Sequence, residues 1–310
     1  MKKVFIDGSA GTTGLKIYER FQHRADLELL TIPEVLRKDL AARLERIRAA
    51  DVSFLCLPDA ASREICERLP DGVRVLDTST AHRTSPGWVY GLPELSQAQR
   101  AAVAGADRVA VPGCHATGFL TLAAPLVSLG VCAPDYPFTA HSITGYSGGG
   151  KQMIAQYETA DRPASYQGPR QYALGQRHKH LPEMQRIAGL AYPPVFNPIV
   201  ADFFSGMAVT VPLHARLLAK PWGPREVAEA LADYYAGQRF LTVHPWGETP
   251  EDGTLDALAL SGTNRLEIFV FGTEAQIVLV SRFDNLGKGA SGAAVQCMNL
   301  MLGLPEDTGL

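Results

Sequence analysis

Short apolar runs mark the first third of the chain and alternate with segments whose apolar positions recur at helical spacing. Residues 4–6 (Val-Phe-Ile), 27–32, 52–57 and 73–76 read as buried strands, and 109–111 (Val-Ala-Val) as a fifth. Between them, 13–21, 36–50 and 62–69 read as helices, the second rich in Leu, Ala, Arg and Glu. Strands alternating with helices predict a parallel, doubly wound α/β sheet.

The pattern changes after Cys132. Residues 138–144 predict a strand, 145–150 a flexible glycine loop and 163–175 a further loop. Strands are expected at 200–204 and 207–213, separated by Ser205-Gly206, and a helix at 224–236 with proline at an early position. Residues 266–271 and 275–283 read as a long hairpin, and 285–292 as a second glycine loop opening a last helix at 290–302. This half predicts a mixed or antiparallel sheet. There is no internal repeat and no low-complexity segment.

The tetrad Pro112-Gly113-Cys114-His115 joins the strand at 109–111 to a long apolar segment at 116–129. That is strand, tight turn and helix, with a thiol at the helix start. Unpaired backbone N–H groups and the helix dipole favour thiolate there. A free cysteine has a pKa of about 8.5, and helix N-termini lower it to about 3.5–7.5. Cys114 reads either as a nucleophile or as a buried small residue. The uncharged stretch around it, apart from His115, also invites comparison with a membrane span. Pro112, Gly113, Pro125 and Gly130 interrupt it, so strand, turn and core helix explain it better.

GSAGTTG at 8–14 is a G-x-x-G-x-x-G variant of the dinucleotide fingerprint, set between the first strand and the first helix. Gly8 permits the tight turn, Gly11 lets backbone approach a pyrophosphate, and Gly14 lets helix and strand pack closely. Ser9, Ala10, Thr12 and Thr13 complete the loop and helix start that face the phosphates. Glu34 stands about 20 residues on, where an acid grips the ribose of NAD. Arg37 and Lys38 follow within a turn and suit the 2′-phosphate of NADP. The residues leave that choice open.

Composition narrows the class. At 310 residues the chain suits two domains, and 46% hydrophobic with 20% charged residues describes an ordinary globular protein. A net charge of −3 and no basic run argue against nucleic acid or an anionic membrane as partner. The five cysteines are scattered with no CxxC pair, which argues against disulfides and zinc and for a reducing, cytoplasmic setting. No secretory leader is read at Met1-Lys2-Lys3.

A Cys114 thiolate attacking an acyl carbon would form a thioester, and a nicotinamide could exchange hydride with that carbon. The acid/base must come from elsewhere. His178-Lys-His180-Leu-Pro-Glu183 is the densest histidine cluster, and Glu183 on a helix beginning near Lys179 could share the face of His180. No further ligand stands at metal spacing beside the pair, so no metal is expected. Arg83 and Lys151 are either grips for phosphate or carboxylate or surface cations. Ser79, Ser142 and Ser147 are donors to substrate or turn formers.

With these residues in view, the chain resembles the short form of N-acetyl-γ-glutamyl-phosphate reductase. The resemblance runs through IDGSAGTTG, LCLP at 55–58, Asp77-Thr-Ser79 with Arg83, YGLPEL at 90–95, PGCHATG at 112–118, SITGYSGGGK at 142–151, HKHLPEM at 178–184 and DNLGKGASGAA at 284–294. It implies NADPH-dependent reduction of an acyl phosphate, N-acetyl-γ-glutamyl phosphate, to N-acetylglutamate semialdehyde in arginine biosynthesis. Cys114 would be the nucleophile and His180, or else His178, the acid/base. Gly148, Gly149, Asn285, Gly287, Lys288 and Gly289 would approach the nicotinamide side of the cofactor. Ser79, Arg83, Ser142, Lys151 and Glu183 would face substrate. The implied fold is glyceraldehyde-3-phosphate-dehydrogenase-like: a Rossmann NADP-binding domain at 1–115 plus 286–310, with an inserted α+β substrate and dimerisation domain at 116–285. A homo-oligomer, dimer or tetramer, goes with it. The rivals are aspartate-semialdehyde dehydrogenase, a reductase of carrier-linked glutamyl phosphate, and a dinucleotide sensor without catalysis.

Overall fold

A computed structural model describes residues 1–250 and 252–310. The chain divides into two units, Met1–Gly113 with Ala290–Leu310, and Cys114–Gly289. Each is built on its own sheet.

The first unit takes β1 (Lys2–Asp7), α1 (Thr12–Phe21), β2 (Leu27–Leu30), α2 (Leu40–Ala49), β3 (Val52–Leu55), α3 (Asp59–Cys66), β4 (Val75–Asp77), β5 (Val89–Tyr90), α4 (Gln97–Gly105) and β6 (Arg108–Ala110). All strand pairs are parallel, in the order β2-β1-β3-β4-β6-β5. Successive strand residues point to opposite faces. Val4, Ile6, Val52 and Phe54 enter one apolar cluster, with Ile17 and Phe21 of α1 and Ala294 and Met298 of the chain's last helix. Phe5, Leu55 and Val75 enter the other, with Ile47 of α2 and Ile65 of α3. Both faces are covered, so the strand centres are largely apolar, and Ser53 in β3 is buried with them.

The boundaries move where local chemistry overrides periodicity. The helix expected at 36–50 begins at Leu40 because the Asp39 side chain caps it, accepting from Ala42 N at 2.8 Å. Glu34–Leu36 forms a separate 3₁₀ turn. The helix expected at 62–69 begins at Asp59, directly after Pro58. The strand at 108–110 is the sixth rather than the fifth, since Val89–Tyr90 pairs beside it.

The second unit opens with α5 (Cys114–Ser128) and continues through β7 (Thr139–Gly145), α6 (Gly150–Glu158), β8 (Arg170–Gln171), α7 (Leu181–Ile187), β9 (Val195–Ala201), β10 (Met207–His214), α8 (Pro224–Tyr234), β11 (Leu241–Val243), β12 (Leu266–Gly272) and β13 (Gln276–Phe283). The sheet is mixed, in the order β11-β12-β13-β10-β7-β9-β8. The long hairpin is β12–β13, antiparallel along its length. Helix α5 packs on β10 and β13. Its Gly118 makes the approach possible, because a Cβ there would stand 2.4 Å from Val209 Cγ2. Pro125 inside α5 cannot donate to the carbonyl of Thr121. The Tyr235 hydroxyl donates to that carbonyl instead, at 2.9 Å.

Three expectations change in this unit. The loop expected at 145–150 is a 3₁₀ turn, Tyr146–Gly149, running straight into α6. Its backbone is held by the carbonyls of Phe203 and Phe204, which accept from Tyr146 N and Ser147 N at 2.9 and 3.0 Å. The strand expected at 200–204 lies at Val195–Ala201, and β7 separates it from β10. The last glycine loop coils as a π-turn, Gly287–Ser291, ahead of α9 (Gly292–Met301).

Candidate active site

In the first unit, β1 and β3 are neighbours whose onward connections run in opposite directions, from β1 to β2 and from β3 to β4. Such switch points are where open α/β sheets bind ligands. The glycine loop lies there. Gly8 has φ +87°, and a Cβ on it would stand 2.3 Å from the Cys56 carbonyl oxygen. A Cβ on Gly14 would stand 2.5 Å from the Gly8 carbonyl oxygen. Gly11 closes the turn, donating to Gly8 O at 2.9 Å, and precedes α1 with no side-chain cap. The first N–H groups of α1, from Thr12 and Thr13, are therefore available to an anion. Ser9 lines a pocket of about 130 Å³ with Ile6, Tyr18, Leu30, Thr31 and Ile32. These features fit the pyrophosphate and adenosine parts of a dinucleotide. Beyond β2, exposed Arg37 pairs with exposed Glu34 at 2.8 Å.

Buried carboxylates stand at the ends of two strands of this sheet. Asp7 meets Arg43 of α2, Nη2 to Oδ2 at 2.8 Å. Burial raises the Asp7 pKa, and the guanidinium pulls it part of the way back. Asp77 accepts from Ser79 N and Oγ at 2.9 and 2.8 Å and meets His82 Nδ1 at 2.6 Å. His82 stacks on Trp88 with ring centroids 4.1 Å apart. Ser79 thus serves its own turn. Arg83 donates to the carbonyls of Val111 and Thr78 at 2.9 and 3.2 Å, bracing the strand end that leads to Cys114.

In the second unit, Cys114 is the first residue of α5 and is half-buried. Gly289 of the π-turn packs against it. The other cysteines are poorly placed for chemistry. Burial pushes the Cys56 and Cys132 thiols up to about 12 and Cys66 to about 11. Cys297 is fully buried and donates to the Gly91 carbonyl at 3.3 Å.

An imidazole cluster accompanies α5. His115 lies 5.3 Å from His178 and 5.5 Å from His180 between ring centroids, and those two are 4.6 Å apart. Phe196 closes one side, 5.2 Å from His115 and 5.1 Å from His178. His178 Nδ1 accepts the His180 backbone N–H at 3.2 Å, which leaves its proton on Nε2 in the neutral form. His180 is buried at the N-terminal boundary of α7, and buried Glu183 lies in the helix's first turn.

The hydroxyl of Ser142, fully buried, meets His115 Nδ1 at 2.6 Å. Tyr172 meets the other nitrogen, Nε2, also at 2.6 Å. Tyr172 falls in the stretch read as loop, and sequence reasoning passed it over. The bonds from His115 span 27 and 57 residues, so no local pattern signals them.

Asn285 ties the two glycine loops of this unit together. Its Nδ2 donates to Ser147 Oγ at 3.0 Å and its Oδ1 accepts from Gly206 N at 2.9 Å. A Cβ added at Gly148 would come only to ordinary contact with that Nδ2, at 3.4 Å, whereas one at Gly149 would collide with the Met153 side chain. Gly287 abuts the Thr263 carbonyl, where a Cβ would stand 2.0 Å from the oxygen. Lys288 is fully buried, with Nζ 5.9 Å from the Phe240 ring centroid, rather than displayed on the loop surface. Lys151 is exposed in the first turn of α6. Among the described residues no group of three or more His, Cys, Asp or Glu could hold a metal ion, and no helix is long and apolar enough to cross a membrane.

Known proteins resolve what this arrangement belongs to. The family model "Semialdehyde dehydrogenase, NAD binding domain" matches residues 12–103, and "Semialdehyde dehydrogenase, dimerisation domain" matches 114–285. Among solved structures, aspartate semialdehyde dehydrogenase from Francisella tularensis has a TM-score of 0.73 at 12% identity, covering 97% of this chain and 100% of that one. Aspartate semialdehyde dehydrogenase II from Vibrio cholerae has a TM-score of 0.71 at 18% identity, covering 98% of each chain. At such identities the likeness is one of fold. The sequence relatives lie much nearer. N-acetyl-gamma-glutamyl-phosphate reductase 2 of Nostoc sp. is 46% identical across 99% of both chains. The N-acetyl-gamma-glutamyl-phosphate reductase of Rhizobium meliloti is 47% identical across 97% of this chain and 98% of its own. Identity at that level from end to end places this chain in the N-acetyl-gamma-glutamyl-phosphate reductase family.

Proposed function

We propose that the protein uses NADPH to reduce N-acetyl-γ-glutamyl phosphate to N-acetylglutamate 5-semialdehyde, through a thioester on Cys114. The observation that carries this reading is end-to-end identity of 46–47% with reductases of that name. The placing of a half-buried thiol at the start of an apolar helix supports it.

The Cys114 thiolate attacks the acyl carbon. A C–S bond forms, the C–O bond to phosphorus breaks, and phosphate departs with the electron pair. His180, as imidazolium, supplies the proton that the departing phosphate takes up. When bound, NADPH supplies the hydride that reduces the thioester carbon. The negative charge then sits on the former carbonyl oxygen, where N–H groups of the first turn of α5 stabilise it. Collapse of this oxyanion breaks the C–S bond, releases the aldehyde and returns the thiolate. Lys151 and Arg83 are the cations assigned to the substrate side, Arg83 by bracing the chain ahead of Cys114.

The reverse reaction is the test. The protein is given NADP⁺, phosphate and either N-acetylglutamate semialdehyde or aspartate semialdehyde, and nicotinamide absorbance is followed. Reduction of NADP⁺ with the acetylated compound alone is expected. Activity with aspartate semialdehyde alone overturns the substrate, and no activity with either favours a dinucleotide sensor.

The protein acts as a homo-oligomer in this reading, paired through the second unit's sheet. The face of that sheet turned away from buried Ala140 and Ser142 exposes Ile143 at 40% and Val195 at 61%. Light scattering is expected to give at least a dimer, and Ile143→Lys with Val195→Lys to shift it to monomer. A cytoplasmic setting accords with five free cysteines. Cell fractionation checks it.

A further inference from the structure

His115 follows the proposed nucleophile directly, yet it is only 3% exposed and its ring bridges two hydroxyls, Ser142 Oγ at Nδ1 and Tyr172 Oη at Nε2, each at 2.6 Å. Burial, reinforced by the charges of His178 and Lys179, pushes its pKa well below the ordinary value. The ring is therefore neutral, with one donor nitrogen and one acceptor. One hydroxyl must donate to it and the other must accept from it.

Hydrogen-bond accounting decides which. Ser142 is fully buried, and among the described residues its hydroxyl meets only His115. Were Ser142 the acceptor, its own O–H would be a buried donor with nothing to bond, which is the costly case. With Ser142 O–H donating to Nδ1, both groups are satisfied. Nε2–H then donates to Tyr172 Oη, and the Tyr172 proton is left to donate elsewhere. Cys114 directly precedes His115 at the head of α5. Burial first, and the Cys114 charge second, raise the Tyr172 pKa, so the phenol stays protonated. The titratable groups around His115 are Cys114, Tyr172, His178, Lys179 and His180, with Glu183 on α7, which packs on α5.

We propose that Ser142 and His115 hold Tyr172 as a hydrogen-bond donor to the negative charge at Cys114, first the thiolate and then the acyl oxygen carried on it. Tyr172 is thereby a catalytic residue, and Ser142 and His115 are positioning residues. The second half of the proposal rests on the thioester reading above; the first half, the thiolate, does not.

Alkylation of Cys114 by iodoacetamide, followed across pH by peptide mass spectrometry on the full-length protein, reads the thiolate without substrate or cofactor. Tyr172→Phe is expected to raise the alkylation midpoint by about one to two pH units. It is also expected to lower kcat by about a hundredfold, leaving the KM for NADPH unchanged. His115→Phe shifts the midpoint the same way, and adding Ser142→Ala to it changes nothing more, because the relay is already cut. His115→Gln, which keeps a donor and an acceptor, restores part of the shift. If His115→Phe does not fold, Ser142→Ala alone carries the test and is expected to raise the midpoint. An unchanged midpoint in folded Tyr172→Phe overturns the proposal. A Tyr172-dependent midpoint in a protein that reduces no N-acetyl-γ-glutamyl phosphate supports the relay and removes the substrate assignment. Full turnover with an unchanged midpoint removes the relay alone.

Discussion

Gly289 lies so close to Cys114 that a Cβ added to it would stand 2.7 Å from the Cys114 Cβ. Gly289 thus forms one wall of the thiol's surroundings. Gly289→Ala must displace either the turn or the helix start. Overpacking of this kind costs about 1–3 kcal/mol. Urea unfolding is expected to show that loss, and NADPH oxidation a larger proportional fall in rate. A variant with full activity would mean that the thiol does not depend on this wall.

Cys114→Ala is expected to keep the fold and the binding of NADPH while losing turnover, as measured by fluorescence titration beside the steady-state assay. Normal turnover would sink the thioester route. His180→Asn is expected to lower kcat more than it weakens NADPH binding. Greater damage from His178→Asn would move the acid/base role to that residue, whose Nδ1 is already engaged by the His180 backbone N–H.

Gly8 combines φ +87° with a Cβ position 2.3 Å from a backbone carbonyl oxygen. Gly8→Ala is expected to abolish NADPH binding in calorimetry and to lower stability, since neither the conformation nor the space admits a side chain. Replacing Arg37 and Lys38 together by alanine is expected to weaken NADPH by about tenfold, the size of one lost charge-assisted contact, and leave NADH unaffected. Equal weakening of both cofactors would place the 2′-phosphate elsewhere.

Asp7 carries a pH signature. Its folded pKa is raised above the ordinary 3.8, with burial the dominant cause and Arg43 opposing it. The folded state therefore holds a proton that the unfolded state has already released. The stability from this group is complete below pH 3.8 and is lost as pH rises through the folded value. Asp7→Asn removes that slope and leaves Arg43 buried without its counter-charge, a loss of about 3–5 kcal/mol near neutrality. Chemical denaturation at several pH values checks both parts.

Pro125 and Tyr235 form a compensating pair. Tyr235→Phe strands the Thr121 carbonyl and is expected to cost about 1–3 kcal/mol. In a Pro125→Ala background the new N–H reaches that carbonyl along the helix, so the same substitution is expected to cost less. Additive losses across the double-mutant cycle would show that the proline is not what makes the phenol necessary.

How much of this was legible in the chain follows from distance along it. The strands of the first unit were readable because both faces of that sheet are covered, which leaves Val4-Phe5-Ile6 wholly apolar and Val52 to Leu55 apolar but for buried Ser53. Helix α4 was not, since only Val103 of its residues is buried and it offers little apolar period. Strands β5 and β8, two residues each, are too short to carry a pattern and exist only because a neighbour pairs with them. Helix α6 was hidden by the glycines before it, and the turn ahead of it is fixed at Tyr146 and Ser147 by the carbonyls of Phe203 and Phe204, from elsewhere in the chain.

By itself the sequence determined the features whose causes are local: the glycine loop after β1, the thiol at the head of α5, the HxH pair and the alternation of strand and helix. These depend on neighbours within a turn or two, where backbone geometry and residue type suffice. The tertiary structure decided what depends on contacts between distant segments. It sent Ser142 and Tyr172 to the two nitrogens of His115, used Arg83 and Asn285 to brace backbone and loops, and buried Lys288. A buried polar group must find its partner wherever the fold brings one, and that partner's place in the sequence is set by topology rather than by spacing.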